Sequence, residues 1–259
     1  MSFLSIVIIC KNEAHVIGRS LESLRGITDD VVVYDNGSTD GTQEIVKRSG
    51  ARLYEGKWEG FGPTKTKAIS LAKYDWILNL DADEAVDEEL NRTLLDWKPS
   101  SDNIVYTVAF KNYLGERHLK WGEWGRDFHI RLFNRKTVEW DEAPVHENLV
   151  MSKEIEVHKL KGHVLHRTME DIRDYSNKMV RYAMLSAEKY FHQGKKASWW
   201  KLRLSPSYTF IHYFILKLGF LDGYWGYVSA KMTAWYTFMK YARLRELYKK
   251  DGKTGSPKV

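Results

Sequence analysis

Asn79-Leu80-Asp81-Ala82-Asp83-Glu84 sets three carboxylates directly behind the apolar run Trp76-Ile77-Leu78. Aspartates two residues apart on extended backbone can both reach one divalent ion. Oxygen donors that leave room for water and phosphate suit Mg²⁺ or Mn²⁺. Taken alone, the same residues also read as an acidic loop capping a helix that begins near Asp87. Further along, Asp127 follows the Gly/Trp-rich stretch Trp121 to Gly125, and Trp140 to Glu147 closes on Val145-His146-Glu147. Asp127 and Glu147 are carboxylates that could take up a proton if held ionised but poorly solvated. His163 and His166, three apart on an expected strand, point to opposite faces and cannot both ligate one metal from regular backbone.

These groups need a scaffold, and the N-terminal half supplies one. Ser5 to Ile9 and Val31 to Tyr34 are short, β-branched runs, as expected of parallel strands buried on both faces. Helical spacing of Val16, Ile17, Leu21 and Leu24 follows the first, with Asn12 placed to cap it. The turn-rich loop Asp35 to Thr42 leads into a helix ending near Ser49. A short strand Arg52 to Tyr54, a helix from Pro63 to Lys73 and the strand Trp76 to Leu80 complete a β-α-β-α-β-α-β alternation. That pattern predicts an α/β fold with a mostly parallel sheet and helices on both faces, whose ligands sit at the carboxyl ends of the strands. Beyond residue 100 the chain predicts strands over Ile104 to Phe110 and His129 to Phe133, and a helix from Glu170 to about His192.

The composition of the 259 residues narrows the setting. A single cysteine, Cys10, excludes a disulfide framework and fits a reducing compartment. No basic segment precedes the first strand, so no secretory leader is expected, and no run is apolar enough to span a bilayer. The net charge of +6 is uneven, because residues 195–250 hold eleven Lys or Arg against Asp222 and Glu246 alone. Pro206 opens a helical pattern there, Gly219 to Gly226 breaks it, and Val228 to Leu247 forms a second helix. Basic and aromatic residues mixed along short helices predict a membrane-surface anchor, with a packed hairpin or dimer contact as the plainer alternative. The expected organisation is a catalytic domain over 1–194, a basic aromatic hairpin over 195–250 and a disordered tail over 251–259.

Ile8 to Glu13, Asp35 to Thr42 and Leu80 to Glu84, in that order, resemble the nucleotide-sugar half of family 2 inverting glycosyltransferases of GT-A fold. Arg131-Leu132-Phe133, Val145-His146-Glu147 and Leu221-Asp222-Gly223 are similar to the branch holding bacterial lipopolysaccharide core glucosyltransferases. The resemblance implies a UDP-sugar donor, with backbone near Cys10 and Asn12 at the uracil edge, Glu13 on the ribose and Asp35 accepting the imide proton. An Asx-turn or cap remains the other role for Asp35. Lys65 falls where the family points a cation at the nucleotide, though Thr64-Lys65-Thr66-Lys67 departs from the usual pairing and also reads as a solvated helix face. Asp83 is expected on the metal, Mg²⁺ or Mn²⁺, with Asp81 nearer the ribose or bridging through water, Ala82 beside the donor, and Glu84 at a helix start or behind the ligands. His166 is expected to complete the metal shell or reach the diphosphate, with a hydrogen-bonded core or surface histidine as the plainer alternative. An inverting transfer implies a general base, Glu147 of Val145-His146-Glu147 or Asp127. The implied reaction is hexose transfer, glucose above all, to a saccharide on a lipid carrier, from a cytoplasmic site on the inner face of the membrane, in lipopolysaccharide core or related envelope glycan synthesis. The implied partners are the UDP-sugar, the lipid-linked acceptor and an anionic membrane surface, without nucleic acid; the oligomeric state is left open. A nucleotidyltransferase would carry a Gly-rich basic first loop, whereas Cys10-Lys11-Asn12-Glu13 has no glycine. A nucleic-acid-binding protein would use the basic C-terminal segment, but no such motif is present.

Overall fold

The computed structural model describes residues 3–140, 149–151 and 154–251. β1 (Leu4–Cys10), β2 (Val31–Asp35), β3 (Arg52–Glu55) and β4 (Trp76–Asp81) alternate with α1 (Ile17–Ser23), α2 (Thr42–Ser49) and α3 (Phe61–Ser70). β5 (Glu84–Val86), α4 (Glu88–Asp96), β6 (Ile104–Leu114), β7 (Arg117–Leu119) and β8 (Phe128–Asn134) follow. After them come β9 (Val138–Trp140), β10 (Leu149–Met151) and β11 (Glu156–Met169), then α5 (Ile172–His192), α6 (Trp199–Ile211) and α7 (Gly223–Lys250). The chain forms two compact units, one running to Phe110 and resuming over Asp127–His166, the other taking Lys111–Arg126 and the chain from Arg167 on.

In the first unit the strand order is β3-β2-β1-β4-β8-β6-β11-β5. β3, β2, β1 and β4 are parallel, while β8 pairs antiparallel with both β4 and β6, and β5 antiparallel with β11. The alternation across residues 4–81 thus produces the parallel half, and the later strands make the sheet mixed. Every residue of β1 is buried, because α1 and α2 cover one face and α3 the other. Ile6, Ile8, Leu78 and Leu80 pack with Ile17 and Leu21, whereas Val7, Ile9 and Ile77 pack with Ala68 and Ile69. This is the two-residue period of a strand sorted onto two cores, each large aliphatic contributing about 1.5–3 kcal/mol. The chain leaves β1 for β2 on one side and returns to β4 on the other. Between β1 and β4 lies the switch point where such sheets open a crevice.

Two local expectations need correction. α1 begins at Ile17, not at Asn12, which takes a left-handed conformation (φ 56°) open to asparagine. Its side chain ties two loops together instead of capping a helix. α6 begins at Trp199, where Ser198 accepts the Lys201 N–H at 3.2 Å, and Pro206 lies inside it.

The second unit is larger than the hairpin expected over 195–250, for it includes α5 and the Gly/Trp stretch. Tyr175 of α5 is fully buried against Leu114, Leu119 and Met169, and Leu244 and Tyr248 of α7 pack on Ala187 and Ala197. A π-turn (His212–Leu216) and a 3₁₀ turn (Gly219–Asp222) join α6 to α7. Gly226 admits no side chain there, since a Cβ would stand 1.8 Å from the Gly219 carbonyl oxygen. The buried carboxylate of Asp222 accepts the backbone N–H groups of Lys120 (2.9 Å) and Trp121 (2.8 Å), fixing the Gly/Trp stretch to the turn. Among the described residues no helix is long and apolar enough to cross a membrane.

Candidate active site

The end of β4 delivers Asp81 beside Ile9 of β1, and Cys10 stands in register with Asp35 of β2, so three strand ends converge on the crevice. Residues 82 and 83 turn the chain, and Glu84 opens β5 rather than a helix; it is Asp87 that caps α4, accepting the Leu90 N–H at 2.9 Å. Ala82 is buried, and its carbonyl accepts the Ser20 hydroxyl at 2.7 Å.

A buried ion-pair network surrounds Asp81. Lys65 Nζ lies 3.5 Å from Asp81 Oδ1, and Arg131 Nη2 lies 3.3 Å from Oδ2 while also donating a very short bond to Glu84 Oε1. Glu84 Oε2 accepts the Asp81 backbone N–H at 3.0 Å. Lys65 is 3% exposed and Glu84 1%, which removes the solvated-face alternative for Lys65. Two acids and two bases balance, as buried charge requires. Burial would raise the Asp81 carboxyl, but Lys65, Arg131 and His166 outweigh it and hold it well below the usual range. For Glu84 burial wins over Arg131, and its carboxyl is pushed up. Burial opposes the charge on Arg131, yet Glu84 and Asp81 hold the guanidinium firmly protonated.

Asp83 belongs to a separate pair. Its Oδ2 faces His166 Nε2 at 3.4 Å, and His166 sits opposite Glu84 in the β11–β5 register. Burial would lower the imidazole's proton affinity, but Asp83, Glu84 and Asp81 raise it. The structure therefore brings Asp83, expected on the metal, together with His166, and pairs Asp81, expected nearer the ribose or bridging through water, with Lys65 and Arg131. His163 bonds Asp87 (Nδ1 to Oδ2, 3.0 Å), away from this pair, as opposite strand faces dictate. The Phe110 ring stands edge-on to His166 (5.9 Å) and to His129 (4.7 Å), with the Arg131 guanidinium 5.2 Å from its centre. His129 Nε2 in turn lies 2.8 Å from Asp127 Oδ1, so Phe110 stands between the Asp127–His129 pair and His166. Glu147 lies outside the described residues.

The loops after β1 and β2 form the other wall. Asn12 N–H donates to Ser38 Oγ (2.8 Å), its amide oxygen accepts the Thr39 N–H (2.8 Å), and Glu13 N–H donates to Thr42 Oγ1 (2.8 Å). Ala14 N–H donates to Asp40 Oδ2 at 3.0 Å. Asp35 is fully buried, accepting Gly37 N–H (3.1 Å), Ser38 N–H (2.9 Å), the Ser38 hydroxyl, Gln43 Nε2 (2.8 Å) and the Cys10 thiol (3.5 Å). Five donors on two oxygens exhaust a carboxylate's lone pairs. These contacts give Asp35 the loop-shaping role, one of the two open to it. Burial would raise this carboxyl, but the bonds from Ser38 and Gln43 hold it below the usual range. The Cys10 carbonyl is likewise taken by Asn36 (N at 2.9 Å, Nδ2 at 3.2 Å). Burial and the nearby Asp35 push the Cys10 thiol above its ordinary range, so it stays protonated.

The residue missed by sequence reasoning is Arg131. The strand pattern around it, His129 to Phe133, reads as alternating and half-buried, which would turn Arg131 to solvent, and its burial beside Glu84 is set by the neighbouring strands.

Three comparisons with known proteins give four findings. The family model described as "Glycosyl transferase family 2" matches residues 5–153. An uncharacterized glycosyltransferase of Rickettsia typhi is 31% identical over 95% of this chain and 88% of its own. The lipopolysaccharide core biosynthesis glycosyltransferase LpsC of Rhizobium meliloti is 30% identical over 93% of this chain and 91% of its own. Among solved structures, S. aureus TarS 1-349 superposes with a TM-score of 0.45 and 16% identity over 97% of this chain and 92% of that one.

Proposed function

This chain belongs to glycosyl transferase family 2, and from that premise we propose that it transfers a hexose, glucose in our reading, from a UDP-sugar with inversion to a saccharide on a lipid carrier. The observation that carries the reading is the charge arrangement at the end of β4, where Asp83 and His166 face each other beside the balanced Lys65–Asp81–Arg131–Glu84 network. Departure of a nucleoside diphosphate concentrates negative charge on its phosphate oxygens, and a charge-balanced cluster with one carboxylate–imidazole pair at its edge leaves that charge to be neutralised by a divalent cation.

The residues fit a divalent cation. One carboxylate and one imidazole, each about one-fifth exposed, present an oxygen and a nitrogen to each other. Among the described residues no three acids, cysteines or histidines cluster as a full cage. A site of two protein donors leaves coordination positions for phosphate oxygens and water, as Mg²⁺ and Mn²⁺ prefer, and the imidazole favours Mn²⁺. When bound, the ion supplies Lewis-acid neutralisation of the leaving diphosphate. The chain's own residues do the rest. Arg131 and Lys65 immobilise Asp81 beside the ribose position, and the tied loops bearing Asn12, Glu13 and Asp35 shape the nucleoside pocket. On the acceptor side a carboxylate takes the hydroxyl proton as the oxygen attacks the anomeric carbon. Asp127, oriented by His129, and Glu147 are the two residues proposed for it.

The similarity to LpsC supports lipopolysaccharide core or a related envelope glycan as the product. A lipid-linked acceptor implies work at the inner face of the cytoplasmic membrane, consistent with the basic, aromatic α6–α7 segment. The test is a panel of UDP- and GDP-sugars with Mg²⁺ or Mn²⁺, read as donor hydrolysis and as Mn²⁺ binding by paramagnetic resonance. The parent should turn over a UDP-sugar only with the cation. Asp83→Asn and His166→Gln should lose the ion and the turnover while keeping their circular dichroism. Cation-independent turnover, or full Mn²⁺ binding by both variants, refutes the assignment.

A further inference from the structure

Leu202, Arg203 and Pro206 of α6 and Lys231, Trp235 and Phe238 of α7 line a groove of about 430 Å³. Its walls are apolar, and its charged lining groups are two cations, one from each helix. The Arg203 guanidinium lies 4.7 Å from the centre of the Trp199 ring and the Lys231 ammonium 4.6 Å from that of Phe210, so each charge rests on an aromatic face. Next to the groove, α6 and the turn after it expose Trp200, Leu204, Tyr208, Ile211 and Ile215, spaced as one helical face; Trp200 is 65% exposed and Leu204 58%. α7 exposes Tyr224, Tyr227, Trp235 and Phe238 in the same way.

So much exposed Trp, Leu and Ile on two adjoining helices is beyond what a water-facing surface carries without an occupant. The charge says which occupant. From Trp199 to Leu221 there is no acidic residue, and the next acid, Asp222, is buried and committed to the backbone of Lys120 and Trp121. A second copy would bring the same uncompensated cations against themselves, which mutual repulsion disfavours. We propose that the α6–α7 groove binds the phosphate-bearing headgroup of an anionic membrane lipid between Arg203 and Lys231, with the acyl chains laid along the exposed face of α6. This rests on the reading above that the enzyme works at a membrane, and it adds which face meets the bilayer and which lipid it selects. Aromatic rings at the boundary and cations at headgroup depth are the arrangement an interfacial helix requires.

The experiment uses the full chain, vesicles of phosphatidylcholine alone, and vesicles of phosphatidylcholine mixed with phosphatidylglycerol. The parent should co-sediment with the mixed vesicles and shift its tryptophan emission to the blue. Arg203→Gln with Lys231→Gln should weaken that binding about thirtyfold, the loss of two headgroup contacts. Leu204→Ser with Ile211→Ser should abolish the emission shift. Inorganic phosphate at the concentration of the lipid phosphate should not displace the protein. Equal binding of the cation variant and the parent to mixed vesicles overturns the proposal. So does a parent that ignores both vesicle types, is displaced by phosphate or by an oligonucleotide, or buries Trp235 in a dimer. Donor hydrolysis without lipid, measured on the same proteins, separates the two readings. Its absence alongside intact vesicle selectivity faults the catalytic assignment and leaves the lipid site standing.

Discussion

Replacing Arg131 with methionine tests whether the acidic site is held by charge balance or merely by packing. Arg131 is 8% exposed and stands between Glu84, at 1%, and Asp81, whose other oxygen faces Lys65. Methionine fills much of the same volume but leaves two carboxylates against one cation. Removing one partner of a buried pair costs about 3–5 kcal/mol, because the other charge is stranded. Glu84 limits the loss, since its carboxyl is already pushed up by burial and takes a proton once Arg131 is gone. The expected result at neutral pH is a destabilisation of about 3–5 kcal/mol by denaturant titration, shrinking as the pH falls and Glu84 becomes neutral. Adding Glu84→Gln removes the stranded charge, so the double variant should be less destabilised than the sum of the singles by about 1–3 kcal/mol. Arg131→Lys should recover only part, for a shorter side chain ending in a compact, strongly hydrated ammonium does not reproduce the reach and burial of the guanidinium. Losses that add to within about 0.5 kcal/mol would refute the network, as would an Arg131→Met protein of parental stability.

Asp35→Asn should lower stability by about 2–3 kcal/mol at neutral pH, because an amide nitrogen then faces donors. The folded carboxyl of Asp35 lies below its usual range, so its contribution is present above about pH 4 and is lost as the pH falls through the folded value. Acid titration of the variant should show a shallower decline, and an unchanged slope would refute the role. Glu123 has its carboxyl pushed up by burial, with Thr233 opposing weakly. The advantage of its bound proton is full below about pH 4.3 and fades as the pH rises through the folded value. Glu123→Gln should therefore raise the melting temperature at pH 8 and not at pH 4; a lowered one at pH 8 counts against this. For the base, Asp127→Asn and Glu147→Gln should each leave UDP affinity nearly unchanged, and the true base should be the variant whose transfer falls about 10²–10⁴-fold. Loss of UDP binding in both would move them into the donor pocket.

What was legible in the chain was what local pattern controls. β1, β2 and β4 announce themselves because parallel strands covered on both faces need unbroken β-branched runs, and Asp87 reads as a cap because it sits one residue before the helix it closes. The carboxylate cluster was found for the same reason, since its members are neighbours in sequence. The partners of that cluster were not legible. Arg131 reaches Glu84 across 47 residues, and nothing local states which strand will lie beside β4. Lys65 stood equally as nucleotide-facing or solvated until its burial was known. Asn12 resembled a helix cap, but a cap and a loop tie use the same side-chain oxygen. The extent of the second unit also escaped, because Asp222 recruits Lys120 and Trp121 from 102 and 101 residues away.

The bonds between the loops after β1 and β2 bear on how this scaffold can be rebuilt. Asn12, Glu13 and Ala14 on one side and Ser38, Thr39, Asp40 and Thr42 on the other are joined by four direct hydrogen bonds. Neither loop therefore has a shape of its own to be transplanted. A chimera that exchanges residues 36–42 for unlike residues would remove the loop partners of three backbone N–H groups and one amide oxygen, leaving them to water. Exchanged as a pair, the two loops carry their partners with them. The shape of this edge should accordingly drift, or be engineered, in matched steps at positions more than twenty residues apart, and libraries confined to one loop should return mostly misplaced loops.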